Sequence, residues 1–99
     1  MYCLIYRFKL NPGKDEKFRI GWRKLSLALI ERCNSLGARL HLAEDNSYIA
    51  YAQWPSREVW QKGEEFIGDV LSYTHWDEDV ISSIEVLFKM EACDDLLVK

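Results

Sequence analysis

The stretch SYIAYAQWPSREVW, residues 47–60, decides how the rest of the chain can be arranged. One side of a predicted strand is defined by every second residue: Tyr48, Ala50, Ala52 and Trp54. Pro55 ends that strand because it has no N–H to donate. Ser56 is placed to cap a following helix, and Glu58 lies in the first turn, where the helix dipole favours a carboxylate. A strand therefore passes directly into a helix, with Trp54 and Trp60 on either side of the corner.

The first third of the chain predicts a strand followed by a long helix. Residues 2–10 alternate, and one side is apolar: Tyr2, Leu4, Tyr6, Phe8 and Leu10. Turn residues at 11–13 lead into a helix that ends near Asn34. Its inner stripe recurs at spacings of three and four: Phe18, Trp22, Leu25, Leu29 and Cys33. Leu27 and Ile30 widen the apolar arc, which indicates either a second packing surface or a broad stripe.

The remaining elements complete a β-α-β-β-α-β order. A strand is predicted over about residues 38–43, with a hairpin loop at 44–47, and the second helix over about 56–66. Residues 68–79 are predicted as a short extra helix followed by a loop. The last strand covers 80–90, and its predicted helix-facing side is Val80, Ser82, Ile84, Val86, Phe88 and Met90. The acidic residues after it are expected to be loosely held or to lie at an interface. The prediction is one α+β domain over residues 1–99, a ferredoxin-like antiparallel sheet with helices on one face.

Composition narrows the class of protein. The 99 residues carry a formal charge of −3 without a basic block, so no nucleic-acid partner is expected. No apolar run approaches a membrane span of about 20 residues. The three cysteines are far apart and fit neither a disulfide framework nor a zinc cluster. The start of the chain has no signal-peptide pattern, and a cytoplasmic protein is expected.

The sheet face away from the helices predicts a partner. It would carry a mixture of charged, aromatic and aliphatic residues that suits neither a core nor bare solvent. Identical subunits cover such a face most simply through a two-fold axis, so a homodimer with facing sheets is predicted. The predicted interface residues are Arg7, Arg39, His41, Tyr51 and Glu85. A buried Arg in this face would need a carboxylate partner such as Glu85.

Three pieces of the sequence resemble the antibiotic biosynthesis monooxygenase (ABM) domain family of dimeric α+β barrels. They are the first strand followed by NPGKDEKF and Trp22, the hairpin GARLHLAEDNSYIAYAQW, and the corner WPSREVW. The resemblance covers almost the whole chain. It implies the dimeric barrel and, among several activities found in such families, an oxygenase that acts on aromatic substrates without a cofactor. Fold alone does not assign function.

Haem degradation, another activity of such families, is less well matched. Its pattern has an Asn on the first strand, where this chain has Tyr6 and Arg7. It also has a Trp nine residues after the strand-end Trp, and that position is Gly63 here. His75 lies near the position of the haem ligand only if a small insertion is allowed.

The cluster His75-Trp76-Asp77 is the most site-like group outside regular structure. His75 is the predicted catalytic residue, a general base near neutral pH; the alternative is a loop histidine that caps a helix or faces solvent. His41 is read as a structural interface residue. No metal is predicted, because two separated histidines without Glu or Cys at ligand spacing do not make a site.

Aromatic residues predict either a ligand pocket or a filled core between helices and sheet. The predicted substrate-binding residues are Tyr6, Trp22, Trp54, Trp60, Phe66 and Tyr73. Two functions follow. The first is a cofactor-independent monooxygenase acting on a small phenolic or quinone-type molecule. The second is a non-catalytic dimeric ligand-binding or stress-related module. A cavity lined by several of these aromatic residues would favour the first, and a filled helix–sheet gap would favour the second.

Overall fold

A computed structural model describes residues 1–74, 76 and 79–98, with the backbone alone for 68–74. Its elements follow the predicted order: β1 (Tyr2–Leu10), α1 (Asp15–Cys33), β2 (Gly37–Leu42), β3 (Tyr48–Trp54), α2 (Arg57–Thr74) and β4 (Ile81–Glu91). The strands form one sheet in the order β2-β3-β1-β4, and all three neighbouring pairs are antiparallel. The ferredoxin-like α+β prediction is confirmed.

The sheet has an inner face, which packs against the helices, and an outer face. On the inner face Leu4 is fully buried and Phe8 nearly so, and Phe8 packs against Phe18 of α1 with ring centroids 5.0 Å apart. A second buried cluster joins Tyr2, Leu4, Trp54 and Trp60 at the other end of the sheet. The predicted alternation in β1 and the inner stripe of α1 therefore meet as expected.

Local side-chain and backbone chemistry sets the helix ends. The Ser56 hydroxyl accepts a hydrogen bond from the Val59 N–H at 3.2 Å, which confirms the predicted N-cap of α2. Asn34 ends α1 in the left-handed conformation, with φ of 60°. At the start of α1, the Asp15 carboxylate accepts a 2.8 Å hydrogen bond from the Tyr48 hydroxyl and ties the helix to β3.

The second helix is longer than predicted. The sequence pattern predicts an end near residue 66 and a separate short helix after it, but α2 runs without a break to Thr74. Gly68 does not interrupt it, because a single glycine costs a helix only about 1 kcal/mol and packing can offset that. The other boundaries agree with the predicted ones to within about two residues.

Two irregularities in β4 overturn its predicted facing. The pairing with β1 shifts between Ile5 and Tyr6 and again between Lys9 and Leu10, so Leu87 and Ser82 are extra residues. Phe88 lies opposite Ile5 and Met90 opposite Cys3, which puts both on the outer face and not on the predicted inner face. The same shifts turn Ile81 inward, where it packs against the core. Each extra residue reverses the alternation beyond it.

The chain after β4 lies beside the outer face. The Ala92 N–H donates to the Met1 carbonyl at 2.9 Å, and Leu97 lines a shallow groove with Tyr51 and Gln53. Leu96 and Val98 remain more than nine-tenths exposed. The cysteines Cys3, Cys33 and Cys93 are all free. None of the helices, as far as the structure describes them, has the length and apolar character needed to cross a membrane.

Candidate functional site

A cavity of about 180 Å³ lies between the helices and the inner face of the sheet. Aromatic and aliphatic side chains make most of its wall, and Glu64, Ser26 and Ser35 add polar groups. Its aromatic lining comes from β1, α1, β3 and the segment before β4: Tyr6, Phe8, Trp22, Trp54 and Trp76. An apolar hollow with few polar groups is the common form of a small-molecule site.

Small residues on the sheet explain why this space stays open. Ala50 and Ala52 of β3 and Ala38 of β2 face the helices and form the floor of the cavity. Larger side chains at these positions would reach towards the Leu25 and Leu29 side chains of α1. The sequence therefore leaves a void above three methyl groups and surrounds it with indole and phenol rings.

Close packing of α2 on Trp54 fixes one wall of the cavity. Gly63 of α2 is buried, and a Cβ atom built on it would lie 2.5 Å from Cη2 of the Trp54 ring. Real Cβ contacts are essentially never this short, so only glycine fits without movement of the indole. Gly63 thus lets α2 approach the sheet while Trp54, which is only 2% exposed, stands against the cavity.

Tyr6 carries the polar chemistry of the inner wall. Burial raises the pKa of its hydroxyl to about 12; the nearby indole N–H of Trp60 opposes that shift, and the Glu64 charge adds to it. Trp60 and Glu64 are four residues apart on α2, so they project on the same side of the helix, towards Tyr6. The Trp60 N–H is buried and makes no hydrogen bond of good geometry to any described residue. Tyr6 is therefore a neutral hydrogen-bond donor at physiological pH.

Trp76 closes the cavity at the end nearest Phe18. The two rings stack with centroids 5.2 Å apart and an angle of 18° between their planes. The Trp76 indole N–H donates to the Phe18 carbonyl at 3.2 Å, which anchors the segment before β4 on α1. Two links support the same junction: Lys14 forms a 2.8 Å ion pair with Asp79, and the Asn11 side chain donates to the Asp79 carbonyl.

Three of the six predicted substrate-binding residues line the cavity: Tyr6, Trp22 and Trp54. Trp60 lies behind Tyr6 and packs on Tyr2, with centroids 5.5 Å apart. Phe66 is half-buried and is not part of the described lining. Tyr73 belongs to α2, but its side chain lies outside the described part of the structure, as does the whole of His75.

Sequence reasoning missed Glu64 as a lining residue and placed Trp76 only in a loop cluster. Glu64 could have been found from its spacing of four residues from Trp60, which the strand-to-helix corner already directs towards the sheet. No sequence pattern indicates that Trp76 reaches back across the core to Phe18.

The five predicted interface residues share the outer face. Arg7 lies opposite both Ile49 and Glu85, while Arg39 and His41 of β2 lie opposite Tyr51 and Ile49 of β3. The Nε–H of Arg7 is buried and has no hydrogen-bond partner in the part of the chain that the structure describes. Tyr51 donates a hydrogen bond to the Cys3 sulfur at 3.2 Å and receives one from Gln53 at 3.3 Å.

The site residues do not fit haem chemistry. The indole of Trp54 fills the space next to Gly63, so a Trp on α2 at that position has no room. Tyr6 and Arg7 occupy the part of β1 where an Asn would be needed. Among the described residues, no group of three or more His, Cys, Asp or Glu side chains is placed to hold a metal ion.

Several solved structures have a fold similar to that of this chain. SnoaB from Streptomyces nogalater, a cofactor-independent oxygenase solved in a mutant form, matches with a TM-score of 0.75 at 15% identity over 96% of this chain and 95% of that one. A putative antibiotic biosynthesis monooxygenase from Bacteroides thetaiotaomicron matches with a TM-score of 0.74 at 10% identity, covering 99% and 95% of the two chains. The chain has the antibiotic biosynthesis monooxygenase fold.

A third solved structure also matches over almost the whole chain. PA3566 from Pseudomonas aeruginosa aligns with a TM-score of 0.73 at 15% identity over 94% of each chain. No family model matches the sequence, and no curated protein matches it. At these identities the shared property is the fold, so function has to be argued from the cavity.

Proposed function

We propose that this protein is a cofactor-independent monooxygenase that acts on a small phenolic or quinone-type molecule held in the cavity. The observation that carries the proposal is the cavity itself: about 180 Å³, walled by aromatic rings, with a neutral phenol at its inner wall. Flat aromatic molecules stack against such walls, and the Tyr6 hydroxyl can donate to oxygen that gains negative charge.

The proposed reaction needs only a base and hydrogen-bond donors from the protein. A proton leaves an activated phenol or ring CH₂ group, and the resulting anion transfers electrons to dioxygen. When a CH₂ group becomes a carbonyl, its two C–H bonds break, one oxygen atom bonds to the carbon, and the other leaves as water with both hydrogens. The protein supplies proton abstraction and stabilisation of the anion. His75 is retained in this proposal as the proton acceptor predicted from sequence.

Oxygen uptake with an obstructed cavity tests this function. The purified protein, without added metal or flavin, should consume oxygen with one- and two-ring hydroquinones faster than buffer alone. Ala52→Leu should abolish the excess rate, because the larger side chain grows from the cavity floor into the ligand space. Ala43→Leu, at a half-buried position outside the cavity lining, is the matched control and should keep the rate.

Two results would count against the oxygenase. The first is no uptake above buffer with any substrate of the series. The second is uptake that Ala52→Leu leaves unchanged. Binding of these molecules without oxygen consumption would instead support the non-catalytic ligand-binding module.

The proposal includes a homodimer joined through the outer faces of two sheets. The buried Arg7 Nε–H, which has no hydrogen-bond partner among the described residues, and the 59% exposed Phe88 on that face support it, because an unpaired N–H and an exposed aromatic ring both gain from a covering surface. The partner sheet would supply a carboxylate such as Glu85 within reach of Arg7.

A further inference from the structure

The polar groups of the cavity are few and complementary. Tyr6 presents a hydroxyl that stays protonated, and Glu64 presents a carboxylate at the exposed side of the same space. Glu64 is the only charged residue in the described part of the lining. The ion pairs found among the described residues join Met1 to Glu91 and Lys14 to Asp79, so neither neutralises Glu64.

Geometry keeps the donor and the acceptor together. Tyr6 comes from the central strand β1, whereas Glu64 lies one helical turn after Trp60 on α2. The buried Trp60 indole is held between the Tyr2 ring and the Lys89 ammonium, which lies 5.0 Å from the Trp60 ring centroid. These contacts place the Trp60 N–H near the Tyr6 oxygen, one turn before Glu64, so the Tyr6 hydroxyl keeps its own proton for donation to a ligand.

The volume of the cavity limits the size of that ligand. Drug-sized ligand pockets usually measure about 300–1,000 Å³. At about 180 Å³ this cavity is smaller, and it suits a molecule of one or two fused rings. The side chains of Trp22, Trp54 and Trp76 form part of the wall around it.

We propose that Glu64 and Tyr6 form an acceptor–donor pair that selects hydroxyl-bearing aromatic ligands of at most two rings. Glu64 accepts the hydrogen bond of a ligand hydroxyl at the mouth of the cavity. Tyr6 donates to a ligand oxygen at the inner wall. An aromatic hydrocarbon of the same size would cover the Tyr6 hydroxyl without pairing it, which costs binding energy, and would make no hydrogen bond to the exposed Glu64 carboxylate.

The inference uses the same cavity as the proposed function and rests on it for the site, but it concerns binding alone. Its test is therefore equilibrium binding in the absence of oxygen, so that turnover cannot contribute. Quenching of tryptophan emission reports occupancy, because three indoles line the cavity. The probes are naphthol, naphthalene, naphthoquinone and the three-ring phenanthrol.

Wild-type protein should bind naphthol at least about 10-fold more tightly than naphthalene, since a hydrogen bond to a charged group contributes about 1.5–3 kcal/mol. Glu64→Gln should weaken naphthol binding about 10-fold and leave naphthalene binding unchanged. Glu65→Gln makes the same change at the next, exposed position, which is not among the described lining residues, and should have no effect. Tyr6→Phe should weaken naphthoquinone binding about 3- to 10-fold, as expected for a neutral hydrogen bond.

Equal affinity for naphthol and naphthalene, or equal behaviour of Glu64→Gln and Glu65→Gln, would overturn the pairing. Phenanthrol binding as tight as naphthol would overturn the size limit. These outcomes are separate from the oxygen measurement. Selective binding without oxygen uptake would support this inference and contradict the proposed oxygenase. Unselective binding, together with oxygen uptake that Glu64→Gln leaves unchanged, would support the oxygenase and contradict the acceptor–donor pair.

Discussion

Gly63 is the residue whose identity the packing most strictly requires. Any side chain there meets the six-membered ring of Trp54, the residue that holds both the end of β3 and one wall of the cavity. Glycine in a helix interior normally lowers stability. Its presence here indicates that the close packing of α2 on Trp54 stabilises the protein by more than the loss of helix propensity costs.

Gly63→Ala should therefore destabilise the protein although alanine favours helix. Overpacking costs about 1–3 kcal/mol and the gain in helix propensity is about 1 kcal/mol, so a net loss of up to about 2 kcal/mol is expected in chemical denaturation. In a Trp54→Phe background, which removes the ring atoms that the new Cβ meets, the same change should be neutral or stabilising. An equal cost in both backgrounds would contradict the steric explanation.

Tyr6 gives a pH dependence whose sign follows from its raised pKa. Its folded-state pKa of about 12 exceeds the ordinary value of 10.0, because burial disfavours the phenolate. Its contribution to stability is fully present below about pH 10 and is lost as the pH rises towards about 12. In a spectrophotometric titration, the Tyr6→Phe variant should have one tyrosine fewer that ionises near pH 12. The variant should also lose less folding stability between about pH 10 and pH 12. An unchanged late titration in the variant would assign the raised pKa to another tyrosine.

At the scale of elements, periodicity predicts what single strands and helices do alone. The alternation of β1 and β3 and the α1 stripe through Phe18 and Leu29 are sufficient to place the core. Ser56 is sufficient to start α2. These signals are local, since each depends on side chains within one or two turns or pleats.

Prediction fails where an element is shaped by its neighbour. The extra residue Leu87 is needed for pairing with β1, and nothing within β4 marks it, so the sequence pattern assigns Phe88 to the wrong face. The continuation of α2 past Gly68 depends likewise on tertiary packing. The cavity is an intermediate case: its aromatic walls and alanine floor are visible in the sequence, but the distance between helices and sheet is set by Gly63 against Trp54.

At the scale of the whole molecule, the outer face of the sheet is the surface that a single chain leaves largely uncovered. It combines exposed Phe88 and the Tyr51–Cys3 pair with a buried Arg7 Nε–H that has no hydrogen-bond partner among the described residues. The chain's own C-terminal residues cover part of this face, where Leu97 lies beside Tyr51 and Gln53 of the interior strand β3. A second sheet would bury this face and exclude water from the Arg7 side chain.

In the proposed facing-sheet dimer, Tyr51→Arg should prevent the two subunits from associating. The substitution sets a further cation on the face that already holds Arg7 and Arg39, and a two-fold interface would repeat the repulsion on both sides. Sedimentation velocity should give twice the chain mass for the native protein and one chain mass for the variant. Gln61→Arg, on the exposed side of α2, makes a comparable addition of charge and should remain dimeric.

The same experiment separates a missing interface from a misfolded chain. Circular dichroism of Tyr51→Arg should retain the helical signal, because Tyr51 faces away from both helices. Naphthol binding should also persist, because the cavity is on the inner face of the same subunit. A native protein that sediments at one chain mass would remove the facing-sheet dimer while leaving the cavity chemistry intact. The two proposals can fail independently, because the sheet itself stands between the interface and the site.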